Sequence, residues 1–305
     1  MHIPVLLQEV VEVLAPAPGK IFVDATVGLG GHAREILARL DGGLLIGIDQ
    51  DPSALARAEV ALAEMGGRFI LKRANFADLE DVVRPLVPEG VDGILFDLGV
   101  SSLQLDEAER GFTYRADAPL DMRMDPEEAV TAADLVNTLS EDELARILRE
   151  YGEEPFARRI ARFLVEARAR SPITKTGELV DIVKAAIPAR YRRRGGHPAR
   201  RTFQALRIAV NDELTRLETA LEQAIRLLRP GGRLAVISFH SLEDRRVKEA
   251  FRRAVYGPES TAPYSGAPRP TYRLLLRKPV TPTPEEVARN PRARSAKLRA
   301  LERVT

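Results

Sequence analysis

The chain contains no cysteine. That absence excludes disulfides, thiolate-held metal centres, iron–sulfur clusters and every cysteine nucleophile. Long apolar runs are missing as well: the longest, Leu44–Ile48 and Leu234–Phe239, have the length of strands and fall far short of a bilayer span. The opening residues Met1-His2-Ile3-Pro4 carry no basic stretch leading into an apolar one, so the expectation is a cytoplasmic protein without membrane contact. Lysine is scarce, 7 residues against 39 arginines. Arginine is the cation better suited to bidentate phosphate contact, although codon bias or heat adaptation produces the same excess. What remains, 305 residues at 45% hydrophobic, 30% charged and net charge +2, is enough apolar material for one large or two modest globular domains and excludes wholesale disorder.

Strand-like apolar runs begin near Ile21, Leu44, Phe69 and Gly93 and recur every 23 to 25 residues with helical stretches between them, the rhythm of βαβ units. Asp51-Pro52 opens one of these helices as an N-cap followed by proline, and Gly66-Gly67 stops it. The next carries Leu79, Val82, Val83 and Leu86 at helical spacing. Such alternation predicts a parallel sheet with helices on both faces and a ligand site at the carboxyl ends of its strands. After Asp97 the rhythm fails. It resumes with a helix through Leu214, Leu217, Leu221, Ile225 and Leu228 that ends at Pro230-Gly231-Gly232 and leads into the strand Leu234–Phe239. Between them, Ser140-x-x-Glu143 is a capping box, and Phe156, Ile160, Phe163 and Leu164 repeat the helical period. The expected organisation is a discontinuous domain, 1–104 with 206–305, interrupted by a helical domain at 105–205. A Pro/Gly-rich loop Gly257–Pro270, a strand Tyr272–Leu276, a linker Pro279–Pro284 and a closing strand Ser295–Val304 complete the chain.

The segment Ile21 to His32 is a strand, a glycine turn and the start of a helix, where glycines let a ligand approach the backbone. Gly28-x-Gly30-x-x-Ala33 with Asp49 also fits the loose dinucleotide fingerprint. Three features favour S-adenosylmethionine over a nicotinamide cofactor: Asp24 four residues before Gly28, Asp97 at the end of the fourth strand, and Asn75-Phe76 after the third. In such a pocket Asp49 accepts both ribose hydroxyls, Phe76 lies against the adenine, and the turn at Gly30-Gly31 passes beside the methionine portion.

Without cysteine, methylation of a pyrimidine C5 through a thiol adduct and radical methylation on a thiolate-held cluster are both excluded. Direct displacement at the sulfonium methyl by an oxygen or nitrogen lone pair remains, in which the enzyme chiefly aligns the reactants. An exocyclic base amine is a poor nucleophile and needs acceptors on its hydrogens. Asp97, Ser101 and Ser102 after the fourth strand, and His240 after the fifth, are the candidates for catalytic roles, though serines in such places usually cap turns and a lone histidine is more often structural. No metal ligand set is assigned.

From Pro155 to Arg207 there are 12 arginines and 2 lysines against Glu166, Glu178 and Asp181, a local excess that leaves the rest of the chain net acidic. Arg192, Arg193, Arg194, Arg200 and Arg201 lie in its densest, glycine-bearing part and are the candidate RNA-binding residues, with Tyr191, Phe203 and Tyr114 as candidate stacking residues.

Taken together, the motifs resemble the RsmH (MraW) family of bacterial methyltransferases acting on N4 of a cytidine in small-subunit ribosomal RNA. The likeness runs through DATVGLGGH (Asp24–His32), IGIDQDP (Ile46–Pro52), DLGVSS from Asp97, ERGFTYRADAPLDMRMD (Glu109–Asp125), YGEEPFARRIA from Tyr151, HPARRTFQALRIAVNDEL from His197, ISFHSLEDR from Ile237 and NPRARSAKLR from Asn290. It implies an α/β class I (Rossmann-like) S-adenosylmethionine-dependent methyltransferase sheet with an inserted all-helical domain. It also implies cofactor contacts from Gly30, Gly31, His32, Asp49, Phe76, Asp97 and Gln104, and 16S rRNA of the small ribosomal subunit as partner. Leu103 departs from the family, which commonly has proline there, and the Asp/Asn/Ser-Pro-Pro-aromatic signature of many amino methyltransferases is missing. Alternatives from other classes are a dinucleotide-dependent oxidoreductase and a non-catalytic RNA-binding ribosome-assembly protein.

Overall fold

The computed structural model describes residues 3–192, 196–257 and 271–305. In chain order its elements are α1 (Leu7–Leu14), β1 (Ile21–Asp24), α2 (Gly31–Leu37), β2 (Leu44–Asp49), α3 (Pro52–Ala63), β3 (Phe69–Arg73), α4 (Leu79–Val83) and β4 (Val91–Asp97), then the helices α5 (Ser102–Asp106), α6 (Ala132–Thr138), α7 (Glu141–Gly152), α8 (Ala157–Arg168), α9 (Thr176–Ala186) and α10 (Arg200–Asn211), and finally α11 (Glu213–Leu227), β5 (Leu228–Ser238), α12 (Ser241–Tyr256), β6 (Tyr272–Leu274), α13 (Pro284–Arg289) and β7 (Lys297–Arg303). Two compact units result, Met1–Gly99 with Leu214–Thr305, and Val100–Glu213. The boundary passes after α10 instead of through it, because that helix buries Phe203, Ala205, Leu206 and Ile208 in the helical unit.

The first unit is a seven-stranded sheet in the order β3-β2-β1-β4-β5-β7-β6. Five strands are parallel, while β7 runs antiparallel between β5 and β6. The expected parallel sheet is found in β1 to β5; the antiparallel strand arises because the chain runs from β5 through α12 to β6 at the edge and then turns back as β7 between them. Successive residues of each central strand face opposite cores, as the pleat requires. Val23, Ile46, Ile94 and Val236 pack with Leu79, Val83, Leu217, Leu221 and Phe251 of α4, α11 and α12. Phe22, Leu45, Leu95 and Ala235 pack with Val10, Leu14, Ile36, Ala58 and Leu62 of α1, α2 and α3. Strands buried on both faces read as continuous apolar runs, which is why β1, β2 and β4 are visible in the sequence, whereas the edge strand β3 shows only the short run Phe69–Leu71.

Two ends differ from the expectation. The helix before β5 stops at Leu227, and Pro230-Gly231-Gly232 lies inside the strand instead of ending the helix. Pairing skips from Val91↔Leu228 to Gly93↔Arg233, so these residues bulge out of the ladder around Gly231, whose φ of +79° is easy for glycine. The outer strands are shorter than predicted, Tyr272–Leu274 and Lys297–Arg303. Of the predicted Pro/Gly-rich loop, residues 258–270 lie outside the described residues.

The second unit is helical around its own core of Leu144, Leu148, Ile160, Leu164, Leu179, Val183 and Leu206. The capping box of α7 forms: Ser140 Oγ accepts from the Glu143 N–H at 3.3 Å, and Glu143 Oε2 accepts from the Ser140 N–H at 2.8 Å. Asn211 ties the long loop before α6 to α10. Its Oδ1 accepts from the Met124 N–H at 2.7 Å and its Nδ2 donates to the Met122 and Arg207 carbonyls at 2.8 Å each. Met122 sits at φ +65°, a costly conformation for a side-chain-bearing residue that these bonds hold in place. Asn211→Ala strips partners from three backbone groups and is expected to destabilise the protein by about 3 kcal/mol, read as a lower denaturant midpoint.

Candidate active site

Three carboxyls sit at neighbouring strand ends of the first unit: Asp24 on β1, Asp49 on β2 and Asp97 on β4. The loop between β1 and α2 crosses above them. Gly30, at φ +79°, turns the chain into α2 as its N-cap, and its N–H donates to the Val27 carbonyl at 2.8 Å. Asp49 fixes the start of that loop, with Oδ2 accepting from the Gly28 N–H at 2.9 Å and Oδ1 from the Asp51 N–H at 3.0 Å. The Gln50 N–H donates to the same carboxylate, so three backbone groups hold Asp49 at the end of β2. Asp51 caps α3 through the Ser53 N–H at 3.0 Å.

Asp24 is 1% exposed, and its Oδ1 accepts from the Thr26 N–H at 3.2 Å. Thr26 Oγ1 in turn accepts from the Asp97 N–H at 2.7 Å, joining the ends of β1 and β4. The sequence reading noted Asp24 only as a feature of the cofactor motif and left Thr26 out; both emerge here as parts of the site, Thr26 carrying no signal beyond its place in the turn. Asp97 Oδ2 lies 3.6 Å from His32 Nδ1, and Asp97 Oδ1 is buried without a hydrogen-bond partner. Burial pushes Asp24 and Asp97 up to about 7 and Asp49 up to about 6. Burial likewise holds the His32 imidazole below its usual range, so it offers little compensating charge. Three crowded acids and an orphaned carboxylate oxygen suit a ligand that brings positive charge and hydrogen-bond donors. S-adenosylmethionine, with a sulfonium, an ammonium and two ribose hydroxyls, has that donor set.

After β3, Asn75 Nδ2 donates to Gln50 Oε1 at 2.6 Å and Asn75 Oδ1 accepts from the Ala77 N–H at 2.9 Å. Phe76 is thereby held edge-on to Phe96, with ring centroids 6.0 Å apart, and remains half-buried. Asp24, Asp49, Asp97 and His32 thus gather around one loop, with Phe76 on the neighbouring strand end. His240 behaves differently. Its Nδ1 accepts from the Glu243 N–H at 3.4 Å as the cap of α12, which leaves the proton on Nε2. That nitrogen is 3.1 Å from Glu243 Oε1 but off the hydrogen-bond direction. Asp244, in the same predicted polar cluster, is held by Lys297 and Arg299 at 3.1 and 2.7 Å, and these cations keep it below the usual carboxylate range.

Ser101 and Gln104 belong to the second unit, where they form the capping box of α5: Ser101 Oγ accepts from the Gln104 N–H at 3.2 Å and Gln104 Oε1 accepts from the Ser101 N–H at 3.1 Å. Ser102 is the first residue of that helix. Of the arginines, Arg200 and Arg201 are exposed at the start of α10, Arg201 donating to the Glu153 carbonyl at 3.1 Å, and Arg192 Nε donates to the Ile187 carbonyl at 2.8 Å. Arg193 and Arg194 lie outside the described residues. Phe203 is corrected as a stacking candidate: at 4% exposed it is core. Tyr114 stacks on His197 at 4.5 Å, and Tyr191 contacts Phe156 at 5.3 Å with the Arg190 guanidinium 4.8 Å from its ring centroid.

Comparison with known proteins returns one family description over nearly the whole length, the MraW methylase family, matching residues 1–304. Among curated proteins, "Ribosomal RNA small subunit methyltransferase H" of Heliobacterium modesticaldum is 58% identical, covering 99% of this chain and 98% of its own length. The protein of the same name from Symbiobacterium thermophilum is 57% identical over 98% and 96%. Among solved structures, a putative rRNA-methylase from Clostridium thermocellum aligns over 99% of this chain and 100% of its own at 12% identity, with a TM-score of 0.47.

Proposed function

The chain belongs to the MraW methylase family, and on that premise we propose that it transfers the methyl group of S-adenosylmethionine to N4 of a cytidine in 16S rRNA of the small ribosomal subunit. The observation that carries the reading is the set of three acids at adjoining strand ends, with an unpartnered buried oxygen on Asp97. Neither alternative raised by the sequence, an oxidoreductase or a non-catalytic assembly protein, is favoured by membership of a methylase family.

S-adenosylmethionine supplies an electrophilic methyl on sulfur. Asp49 would accept from the ribose hydroxyls, Phe76 would lie along the adenine, and the Gly30-Gly31 turn with His32 would border the amino-acid end. Asp97, once ionised, accepts hydrogen bonds from a donor-bearing group entering the site. An N4 amine held this way is oriented for in-line attack and relieved of developing charge. The cytosine has to leave its stack to get there. Ser101 and Ser102 are assigned to the substrate side of the reaction and Gln104 to the cofactor, and the cap role of His240 makes it an organiser of α12 beside its proposed catalytic role. The helical unit presents the RNA through Arg192, Arg193, Arg194, Arg200 and Arg201. Among the described residues no helix is long and apolar enough to cross a membrane, which accords with a ribosomal substrate in the cytoplasm.

The test is incubation with methyl-labelled S-adenosylmethionine and small subunits from cells lacking the enzyme, followed by nucleoside digestion. Label in N4-methylcytidine is the expected result, and label confined to another nucleoside removes the proposed target. Replacing Arg192, Arg193 and Arg194 together with Ala is expected to weaken RNA binding and to flatten its salt dependence by about two in the logarithmic slope, with cofactor affinity unchanged. Fluorescence anisotropy across a salt series measures both.

A further inference from the structure

His32 is held from outside the cofactor loop. Its Nε2 lies 2.9 Å from the Val5 carbonyl oxygen, which can only accept, so Nε2 carries the proton and Nδ1 is left as a lone-pair acceptor on the side of Asp97. The N–H of the same peptide group, that of Leu6, donates to Glu286 Oε1 at 2.8 Å. Glu286 is half-buried on α13, and one further bond docks this helix to the N-terminal segment: Asn290 Nδ2 donates to the Ile3 carbonyl at 3.0 Å, Asn290 itself being the C-cap of α13 with its N–H on the Glu286 carbonyl at 2.7 Å. Leu6 is fully buried yet adopts φ 53°, ψ 36°, a left-handed conformation that costs a non-glycine residue about 1 kcal/mol or more and persists where surroundings enforce it. One trans amide therefore lies between a carboxylate and an imidazole. A carboxylate accepting from its N–H drives amide resonance toward the oxygen and strengthens that oxygen as an acceptor.

We propose that Glu286 is a positioning residue for the cofactor site: through the Val5–Leu6 peptide it holds His32 as the Nε2–H tautomer with Nδ1 turned inward as an acceptor. Nothing else in the family motifs points to Glu286, which is far from the glycine loop in sequence. The inference rests on reading the loop around Gly30 as the cofactor site. Its consequence is that part of the site's hydrogen-bonding capacity is set by a helix that makes no contact with the ligand.

The test uses the full chain with S-adenosylhomocysteine as probe and 15N-labelled histidine. Glu286→Ala is expected to weaken binding about fivefold, the value of one hydrogen bond, and to mix the His32 tautomers in the ring 15N spectrum; Glu286→Gln, which keeps an acceptor oxygen without the charge, restores most of both. A merely structural role for Glu286 lowers the melting temperature while leaving the tautomer signature alone, and that result overturns the proposal. Should Glu286→Ala not fold, the Gln variant and Asn290→Ala carry the same two readouts. Asp49→Ala serves as the reference: loss of binding there with wild-type binding and tautomer in the Glu286 variants overturns this inference alone, whereas unchanged binding in both overturns the site reading as well.

Discussion

Asp49→Ala is expected to weaken S-adenosylmethionine binding by at least about a hundredfold, the largest single effect in the pocket. In the proposed binding mode two ribose hydroxyls lose a charged acceptor, and hydrogen bonds to charged groups contribute about 1.5–3 kcal/mol each. The damage extends to the loop. Asp49 also accepts from the Gly28, Gln50 and Asp51 N–H groups, so its removal frees the turn before Gly30 and strips an acceptor from three backbone donors. Asp49→Asn keeps the size but converts one acceptor into a donor, and should fall between alanine and wild type. Titration calorimetry with S-adenosylmethionine measures the series, and wild-type affinity in the alanine variant would refute the assignment of this strand end.

The second large effect concerns Asp97 and its pH dependence. Its carboxyl is pushed up to about 7 in the ligand-free protein, chiefly by burial and then by the negative charge of Glu243. The ionised form is the one that receives a cationic ligand and accepts from an amine, so kcat/KM is expected to fall as pH drops below about 7. Bound positive charge favours the ionised carboxylate, so the corresponding limb of kcat should lie at lower pH than that of kcat/KM. Asp97→Asn should lower kcat by about two orders of magnitude, the scale of a lost acid–base group, and remove the limb. Asp24 is also pushed to about 7 and interacts with Asp97, so the wild-type limb belongs to the pair. An Asp97→Asn profile that still bends near 7 would transfer the titration to Asp24. Steady-state kinetics between pH 5.5 and about 9 decide it.

Much of this architecture was legible because some residues report their surroundings locally. Val23, Ile46 and Ile94 belong to strands covered on both sides, and doubly covered strands are apolar throughout. Asp51-Pro52 and Ser140-x-x-Glu143 form their caps with partners two or three residues away. Helix α1 escaped notice even though Leu6, Val10 and Leu14 recur at four-residue spacing. Its ends are the left-handed Leu6 and Ala15, residue types that announce no boundary. The Leu6–Glu286 bond depends on tertiary packing between distant segments, as does the placement of β7, and no local pattern encodes either. At the site, the acids and glycines could be read from the strand rhythm, whereas their raised pKa values could not, since burial is a property of the assembled sheet. Phe203 shows the opposite failure: a residue type suited to stacking that the fold uses as core.

The place of the helical unit in the chain governs how the protein is made. Strand β4 pairs with β5 across the whole of residues 100–213, and β5 is completed on its other side by β7, which follows later still. On a translating ribosome the β3-β2-β1-β4 half emerges first, with the apolar edge of β4 uncovered while the helices of the second unit are synthesised. The α7–α8 and α8–α9 pairs join neighbours in sequence, whereas α10 packs on the earlier α7 and closing the sheet waits for still more distant partners. The sheet that carries Asp24, Asp49 and Asp97 therefore stays unfinished until the helical unit has been synthesised, and it is in this interval that its exposed strand edge is most open to a chaperone or to misassembly.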